Sequence, residues 1–297
     1  MTLPFEQHMP TPRTLTEIKA ALTLMGVTPR KQRGQNFLCE RGSVDMICKF
    51  AGVSRNDTVV EIGPGLGAIS LDIARASGRY TAIEVEERFV ELLRPELAAL
   101  SNATIFLEDV REIDADADPR LGPRPLTIVS NVPYSLSTEV LLWIIRYRKS
   151  ITRAVLLLQR EFAERAAAQE GSKDYGSLSV LIRMYADARL GPKISGHCFY
   201  PRADVESRLL ELRVLERPRY EVSDLAAFEQ LVRAAFSHRR KTLLNSLADS
   251  GVLGDKSRVQ RVLESAGLDP GRRAETLSLV EYVSLFGSKE ALYGTGS

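Results

Sequence analysis

The sequence contains few of the residues that build disulfide frameworks and metal centres. Its 297 residues include three cysteines and three histidines. Cys39, Cys48 and Cys198 are odd in number and lack the C-x-x-C spacing of a zinc or redox motif. We therefore predict no metal site and no disulfide framework. We expect the cysteines to act as small apolar residues in a reducing compartment.

The chain also lacks an excess of charge and any long apolar run. Forty Lys and Arg balance 38 Asp and Glu, for a formal net charge of +2, so total charge indicates neither a nucleic-acid nor a membrane partner. The longest apolar runs, 141–145 and 154–158, are far shorter than the roughly 20 residues of a membrane span. Residues 20–27 lack the features of a signal peptide. We expect a cytoplasmic protein without membrane contact.

Between residues 58 and 159, short β-branched runs alternate with longer amphipathic stretches. The predicted strands are 58–62, 80–84, 104–107, 126–130 and 154–159. Helical patterns at 69–76, 86–100 and 138–147 lie between most of them. This alternation predicts a doubly wound α/β sheet with a mostly parallel core, whose ligand crevice lies at the carboxyl ends of the strands.

Beyond Tyr220 the sequence predicts only helices. Helical spacing covers 225–236, 239–248, 256–266 and 276–286, with glycines and Pro270 between them. Pro218 and its charged neighbours interrupt the strand-like segment 207–215. We therefore predict an N-terminal extension (1–30), an α/β domain (31–217) and a small all-helical domain (218–297).

A glycine-rich turn, EIGPGLGA at 61–68, closes the first predicted strand. Gly63 and Gly65 let the backbone approach a ligand closely, and the following helix N-terminus favours polar or negative groups. The spacing also matches dinucleotide sites, so the turn fits an adenosyl or a nicotinamide cofactor. A plain tight turn is the alternative.

Acidic residues follow the next two strands. Glu84 ends the second strand, where a carboxylate can accept hydrogen bonds from both hydroxyls of a ribose. Asp109 follows the third strand and can accept a hydrogen bond from an adenine amino group. A single acidic residue at a strand end is usually a solvated loop charge. The ordered series of glycines, Glu84 and Asp109 favours a binding site.

The segment Asn131-Val-Pro-Tyr134 follows the fourth strand and favours the adenosyl cofactor. Asn131, with a main-chain carbonyl of Val132 or Pro133, presents acceptors for the two hydrogens of an exocyclic amine. Tyr134 offers a ring against which a flipped base can stack. Hydride transfer does not need these groups. Alone, the segment could be a turn with a packed tyrosine.

From about Pro29 to Phe286 the sequence resembles the ribosomal RNA adenine dimethyltransferases, specifically their small-subunit, KsgA/RsmA branch. The matching segments are QNFL (35–38), EIGPGLG (61–67), Glu84, Asp109, NVPY (131–134), QREFAER (159–165), KDYGSLS (173–179), FYP (199–201) and FSHRRKTL (236–243). The sequence departs from the family pattern at Val132, Ala203 and Glu206. At Val132 the carbonyl, not the side chain, would act.

The resemblance implies a Rossmann-like, class I methyltransferase domain that binds S-adenosylmethionine, and a helical domain that helps to hold RNA. The cofactor-binding residues that it implies are Asn36, Leu38, Gly63, Gly65, Glu84, Asp109 and Asn131. Its implied catalytic residues, which surround the target base, are Asn131, Pro133, Tyr134 and Phe199.

Basic residues within two family motifs are assigned to RNA binding. They are Arg30, Lys31, Arg33, Arg239, Arg240 and Lys241. Each can pair with phosphates, although a run of charge is usually a solvated face. A third basic group at 146–153 lies outside the family motifs.

The resemblance implies methyl transfer to the N6 amines of two adjacent adenosines in the 3′-terminal hairpin loop of 16S rRNA. The product would be N6,N6-dimethyladenosine, formed during ribosome biogenesis. The partner would be the immature small ribosomal subunit, and we expect a monomeric enzyme. The alternatives are a 23S rRNA dimethyltransferase, an NAD-dependent oxidoreductase and a non-catalytic ribosome-assembly factor. The three histidines lie outside the strand-end residues, which disfavours the oxidoreductase.

Overall fold

A computed structural model of the protein describes residues 10–29 and 36–294. These residues form two compact units. The first contains the described residues up to Ala163 together with Arg189–Glu216, and the second contains Glu164–Ala188 together with the described residues from Arg217 onward. The sequence division had placed 164–188 in the α/β domain, whereas this segment packs with the C-terminal helices.

Among the described residues, nine strands and six α-helices belong wholly or partly to the first unit. The strands are β1 (Phe37–Leu38), β2 (Thr58–Ile62), β3 (Arg79–Glu84), β4 (Ala103–Leu107), β5 (Leu126–Asn131), β6 (Ile151–Gln159), β7 (Ala186–Ile194), β8 (Phe199–Tyr200) and β9 (Ser207–Val214). The helices are α1 (Leu15–Leu24), α2 (Arg41–Ala51), α3 (Ser70–Ala76), α4 (Glu87–Ala98), α5 (Ser137–Arg146) and α6 (Arg160–Ala166). The chain passes between the two units within α6 and within β7.

Seven strands form one sheet in the order β4-β3-β2-β5-β6-β9-β7. Strands β4, β3, β2, β5 and β6 pair with one another in parallel, and β9 runs antiparallel to β6. Strand β5 lies beside β2 and not beside β4, so the direction of winding reverses between β2 and β5. Such a switch point opens a crevice at the carboxyl ends of the strands. The predicted doubly wound α/β fold is confirmed.

Burial explains why the central strands were recognisable. All five residues of β2 are buried, as are Ala154–Leu158 of β6. Strands covered by helices on both faces have continuous apolar sequences. Strand β7 carries exposed and half-buried residues along most of its length, and the sequence analysis missed it.

The second unit contains helices α7 (Ser177–Tyr185), α8 (Leu225–Ala235), α9 (Leu243–Ser250), α10 (Lys256–Ser265) and α11 (Leu279–Tyr293). Four of these helices begin after a side chain that accepts a backbone N–H, namely Asp224, Thr242, Asp255 and Ser278. The helix predicted at 239–248 therefore begins later, after Thr242. Among the described residues, no helix is long and apolar enough to cross a membrane.

A buried carboxylate lies within the sheet of the first unit, next to the glycine turn. Glu61, on β2, is 1% exposed, and the hydroxyl of Tyr80 on β3 donates a hydrogen bond to its carboxylate. Burial raises the pKa of Glu61 from its ordinary value of 4.5 to about 7. Glu61 immediately precedes Ile62 and the glycine turn, so this buried contact anchors the strand from which the turn emerges.

The raised pKa of Glu61 predicts a stability that depends on pH. The folded chain retains the proton longer than the unfolded chain, so this contribution to stability is complete below about pH 4.5 and is lost as the pH rises through about 7. Glu61→Gln keeps the shape and an acceptor for Tyr80 but removes the titration. Relative to the variant, the wild-type protein should lose up to roughly 3 kcal/mol of unfolding free energy across this range.

Urea unfolding at several pH values measures this difference. The exposed Glu216 provides a matched control, because Glu216→Gln should follow the wild-type pH profile. Parallel profiles for wild type and Glu61→Gln would contradict the assignment.

Candidate active site

A cavity of about 470 Å³ lies at the carboxyl ends of the central strands. Four consecutive strand ends and the segment around β1 contribute to its wall. The predicted site residues on that wall are Asn36, Leu38, Gly63, Gly65, Glu84, Asp109, Asn131, Pro133 and Tyr134. Residues separated by up to about a hundred positions in sequence thus meet at one site, as expected for parallel strands that end at the same edge of a sheet.

The glycine turn after β2 requires residues without a Cβ at two places. Gly65 has a φ of 56°, and an added Cβ would lie 3.3 Å from the ring of Phe37. Gly67 has a φ of 81°, and its Cβ would lie 2.3 Å from Leu93 on α4. The absence of a Cβ at Gly65 leaves space beside Phe37 in the cavity wall. The absence of a Cβ at Gly67 allows the turn to pack against α4.

Backbone hydrogen bonds fix the carboxylate of Glu84 at the cavity wall. Its Oε2 accepts the N–H of Gly65 at 3.0 Å, and its Oε1 accepts the N–H groups of Val85 and Glu86 at 2.9 and 3.0 Å. Burial of the side chain, which is 6% exposed, raises its pKa despite these bonds. A carboxylate has about four acceptor positions, so the three bonds orient it and leave room for a ligand hydroxyl.

Asp109 is held by a cation that the sequence analysis missed. The Arg111 guanidinium binds both carboxylate oxygens, with Nε–Oδ1 and Nη2–Oδ2 distances of 3.0 and 2.5 Å. These bonds lower the pKa of Asp109, so its oxygens remain acceptors. Arg111 also lines the cavity. The sequence signal for this ion pair was the position of Arg111 two residues after Asp109, because the 3-10 turn of 110–112 brings the two side chains together.

The amide of Asn131 is oriented by the segment around β1. Its Nδ2 donates to the backbone carbonyl of Asn36 at 3.4 Å. Because the nitrogen is used in this way, the oxygen is the end of the amide that can accept a hydrogen bond from a ligand. Asn36 thus contributes through its backbone carbonyl, which the sequence could not indicate.

Tyr134 is anchored by a residue outside the predicted set. Its hydroxyl lies 2.7 Å from the Oγ of Ser207, the fully buried first residue of β9. Burial raises the pKa of Tyr134, so the hydroxyl stays protonated. Ser207 fixes one end of the ring, while the ring contributes to the cavity wall.

Of the predicted site residues that the structure describes in the first unit, one does not line the cavity. Phe199 is absent from its wall, is 3% exposed and faces Leu38 across the two-stranded β1–β8 ribbon, so its role as an aromatic wall stays a prediction. Arg30, Lys31 and Arg33 lie outside the described residues.

The other predicted basic residues, Arg239–Lys241, are exposed in the second unit. Arg239 donates to the carbonyl of Lys173, and Lys241 forms an ion pair with Asp249 at 2.6 Å. Among the described residues, no group of three or more His, Cys, Asp or Glu side chains could hold a metal ion.

Comparison with known proteins gives the same family as the sequence motifs. The chain is 39% identical over 269 residues to the Ribosomal RNA small subunit methyltransferase A of Moorella thermoacetica, covering 88% of this chain and 92% of that protein. It is 37% identical over 261 residues to the protein of the same name from Geobacter sulfurreducens, covering 88% and 95%.

A solved structure shares the fold. It is a dimethyladenosine transferase from Plasmodium falciparum, with a TM-score of 0.72 and 22% identity over 85% of this chain and 98% of that chain. The family model for Ribosomal RNA adenine dimethylase matches residues 26–285, which include every strand end that lines the cavity. The chain therefore belongs to the ribosomal RNA adenine dimethylase family.

Proposed function

We propose that this protein transfers methyl groups from S-adenosylmethionine to the N6 amines of two adjacent adenosines in the 3′-terminal hairpin loop of 16S rRNA. The observation that carries the proposal is the single cavity that joins Glu84, Asp109 and Asn131. The relatives named as small-subunit methyltransferases favour 16S over 23S rRNA as the substrate. The immature small subunit as partner, a monomeric state and a cytoplasmic location stay predictions.

The residues of the cavity fit the cofactor. Its volume of about 470 Å³ falls in the range of roughly 300–1,000 Å³ that is usual for small-molecule sites. Glu84 would accept a hydrogen bond from a ribose hydroxyl, and Asp109 would accept one from the amino group of the adenine. The glycine turn would lie against the methionine portion, while Asn36 and Leu38 complete the wall. When bound, S-adenosylmethionine supplies an electrophilic methyl group on a positively charged sulfur.

Two acceptors in the 131–134 segment would activate the target amine. The lone pair of an adenine N6 is delocalised into the ring, so this nitrogen is a poor nucleophile. Hydrogen bonds to the Asn131 oxygen and to a neighbouring carbonyl would draw it toward tetrahedral geometry and aim the lone pair at the methyl group. The Pro133 carbonyl accepts the N–H of Leu136 at 2.8 Å and retains its second lone pair for the amine.

No strong general base is required beside the amine. The methylated nitrogen is acidic while it carries its extra proton, so water can accept that proton. Stacking on Tyr134 would offset the cost of turning the base out of its stack in the loop, with about 1–3 kcal/mol from an aromatic contact. Arg239–Lys241 would contact phosphates, which predicts binding that weakens with salt.

Mapping of labelled methyl groups tests the proposed substrate. Purified protein is mixed with labelled S-adenosylmethionine and with unmodified small subunits or large-subunit RNA. We expect label on two neighbouring adenosines near the 3′ end of 16S rRNA. Label on 23S rRNA would support the large-subunit alternative, whereas stabilisation by NAD alone in thermal unfolding would support an oxidoreductase.

Replacement of Asn131 separates catalysis from cofactor binding. Asn131→Ala removes an acceptor for the target amine, so methyl transfer should fall by about 100-fold or more. Binding of S-adenosylhomocysteine, measured by calorimetry, should remain detectable. The exposed Asn56 lies outside the cavity, and Asn56→Ala should retain wild-type transfer. Full activity in Asn131→Ala would refute the assigned role.

A double-mutant cycle tests Ser207 as a positioning residue for Tyr134. Ser207→Ala and Tyr134→Phe each remove one side of the 2.7 Å hydrogen bond, and each should lower kcat about 2- to 10-fold. If Ser207 acts through the tyrosine, the double variant should be no slower than the slower single variant. If the kcat losses of the two single variants multiply in the double variant, the coupling is contradicted. It is also contradicted if the single variants lose enough thermal stability to account for their lower kcat.

A further inference from the structure

Two of the three cysteines lie opposite each other beside the cavity. In the β1–β8 ribbon, Leu38 pairs with Phe199 in antiparallel register. The next pair in this register is Cys39 with Cys198, and the Cys39 N–H donates to the Cys198 carbonyl at 2.8 Å. Both cysteines are free and partly exposed.

The side chains of this pair occupy the same end of the ribbon. Opposite residues of an antiparallel pair project from the same face. The Sγ of Cys39 lies 4.0 Å from the carbonyl oxygen of His197, the residue next to Cys198. Hydrogen bonds from Ser43, and to a smaller extent from the Cys198 thiol, lower the pKa of Glu40. The sulfur of Cys198 therefore lies beside Glu40, the residue that follows Cys39 in the chain. The sulfur of each cysteine therefore lies close in space to a residue that is adjacent in sequence to the other cysteine.

The antiparallel register predicts a backbone spacing close to that of a disulfide. Opposite residues of an antiparallel pair have Cα atoms about 4.5–5.5 Å apart, within the range of about 4.4–6.8 Å that disulfides span. Their Cβ atoms are about 4.5–5.5 Å apart, whereas a disulfide needs about 3.5–4.5 Å. Bond formation would thus require the two strands to approach by up to about 1 Å.

We propose that Cys39 and Cys198 form a redox-sensitive dithiol, which a small disulfide such as glutathione disulfide converts into an intramolecular disulfide that alters the cavity. One cysteine sulfur, after losing its proton, attacks the small disulfide and releases one small thiol. The other cysteine sulfur then attacks the mixed disulfide and releases the second small thiol. The two cysteines lose two electrons and two protons, and the small disulfide is reduced to two thiols.

The ribbon couples this pair to the cavity wall. Asn36, Phe37 and Leu38 precede Cys39 directly and all line the cavity. The Asn36 carbonyl also accepts the hydrogen bond that orients Asn131. Movement of this strand toward β8 would displace these contacts, so the oxidised form should bind a cavity ligand more weakly. This second step rests on the proposed function for the identity of the ligand.

The third cysteine provides a matched control. Cys48 lies on α2, and burial raises the pKa of its thiol to about 12. A thiol with so high a pKa is almost entirely protonated near neutral pH and reacts slowly with disulfides. Burial, with a smaller contribution from Cys198, also raises the pKa of the Cys39 thiol, so the preference for the cross-strand pair rests on the opposite placement of Cys39 and Cys198, which Cys48 on α2 does not share.

Mass spectrometry of the full-length protein tests the dithiol. Reduced protein is incubated with glutathione disulfide, unfolded in denaturant so that every remaining thiol is accessible, alkylated with iodoacetamide and digested. We expect the loss of two hydrogens, a linked peptide pair containing Cys39 and Cys198, alkylation of Cys48 alone, and reversal by dithiothreitol. Cys48→Ser should behave like wild type, whereas Cys39→Ser and Cys198→Ser should form no intramolecular link. Alkylation of all three cysteines, or a link through Cys48 or between chains, would overturn the proposal.

Thermal unfolding with S-adenosylhomocysteine tests the coupling to the cavity. The reduced protein should be stabilised by this ligand, and the oxidised protein should lose most of that stabilisation and regain it on reduction. Equal stabilisation in both states, with the disulfide present, would overturn the coupling. Failure of the reduced protein to respond to the ligand would instead contradict the proposed function, because the mass measurement does not depend on that ligand.

Discussion

The hydrogen bond between the Gly65 amide and the Glu84 carboxylate connects the ends of two neighbouring strands, and the cavity depends on this connection. Gly65 can make it because the turn adopts a left-handed conformation there and because no side chain fills the space beside Phe37. Glu84 can make it because β2 and β3 are parallel and end at the same edge of the sheet. The parallel sheet thus determines where the carboxylate of Glu84 lies, and the glycine turn supplies a backbone N–H that orients it.

On the opposite side of the cavity, side chains at the end of a strand are likewise oriented by hydrogen bonds to other parts of the chain. At the end of β5, the backbone carbonyl of Asn36 orients the amide of Asn131, and Ser207 on β9 orients the ring of Tyr134. Asn131 and Tyr134, two of the residues assigned to the target base, are therefore each held by a partner from another part of the chain. Such partners keep the first contacts of a site within the narrow geometry that group transfer requires.

Much of this arrangement could be predicted from the sequence, because regular patterns carry it. The buried parallel strands have continuous apolar runs, and their predicted ends agree with the structure to within about three residues, as for β6, which begins at Ile151. The family prediction, made from ordered motifs, is confirmed by the match over residues 26–285. The strand-end residues from Gly63 to Tyr134 could be expected to meet, since parallel strands bring them to one edge.

The remainder depends on contacts that no local pattern encodes. The mixed burial of β7 weakened its strand signal, and the cap at Thr242 delayed the start of α9. Ser207 and the carbonyl of Asn36 act through contacts with residues distant in sequence, which appear only after folding. The burial of Phe199 likewise reflects packing within the first unit.

A crystal structure with bound S-adenosylhomocysteine is the most direct test of the central claim. The account predicts that a ribose hydroxyl donates to the Glu84 carboxylate, that the adenine amine lies beside Asp109, and that the sulfur points toward Asn131. A ligand bound in another cavity, or one whose sulfur is remote from Asn131, would contradict the account.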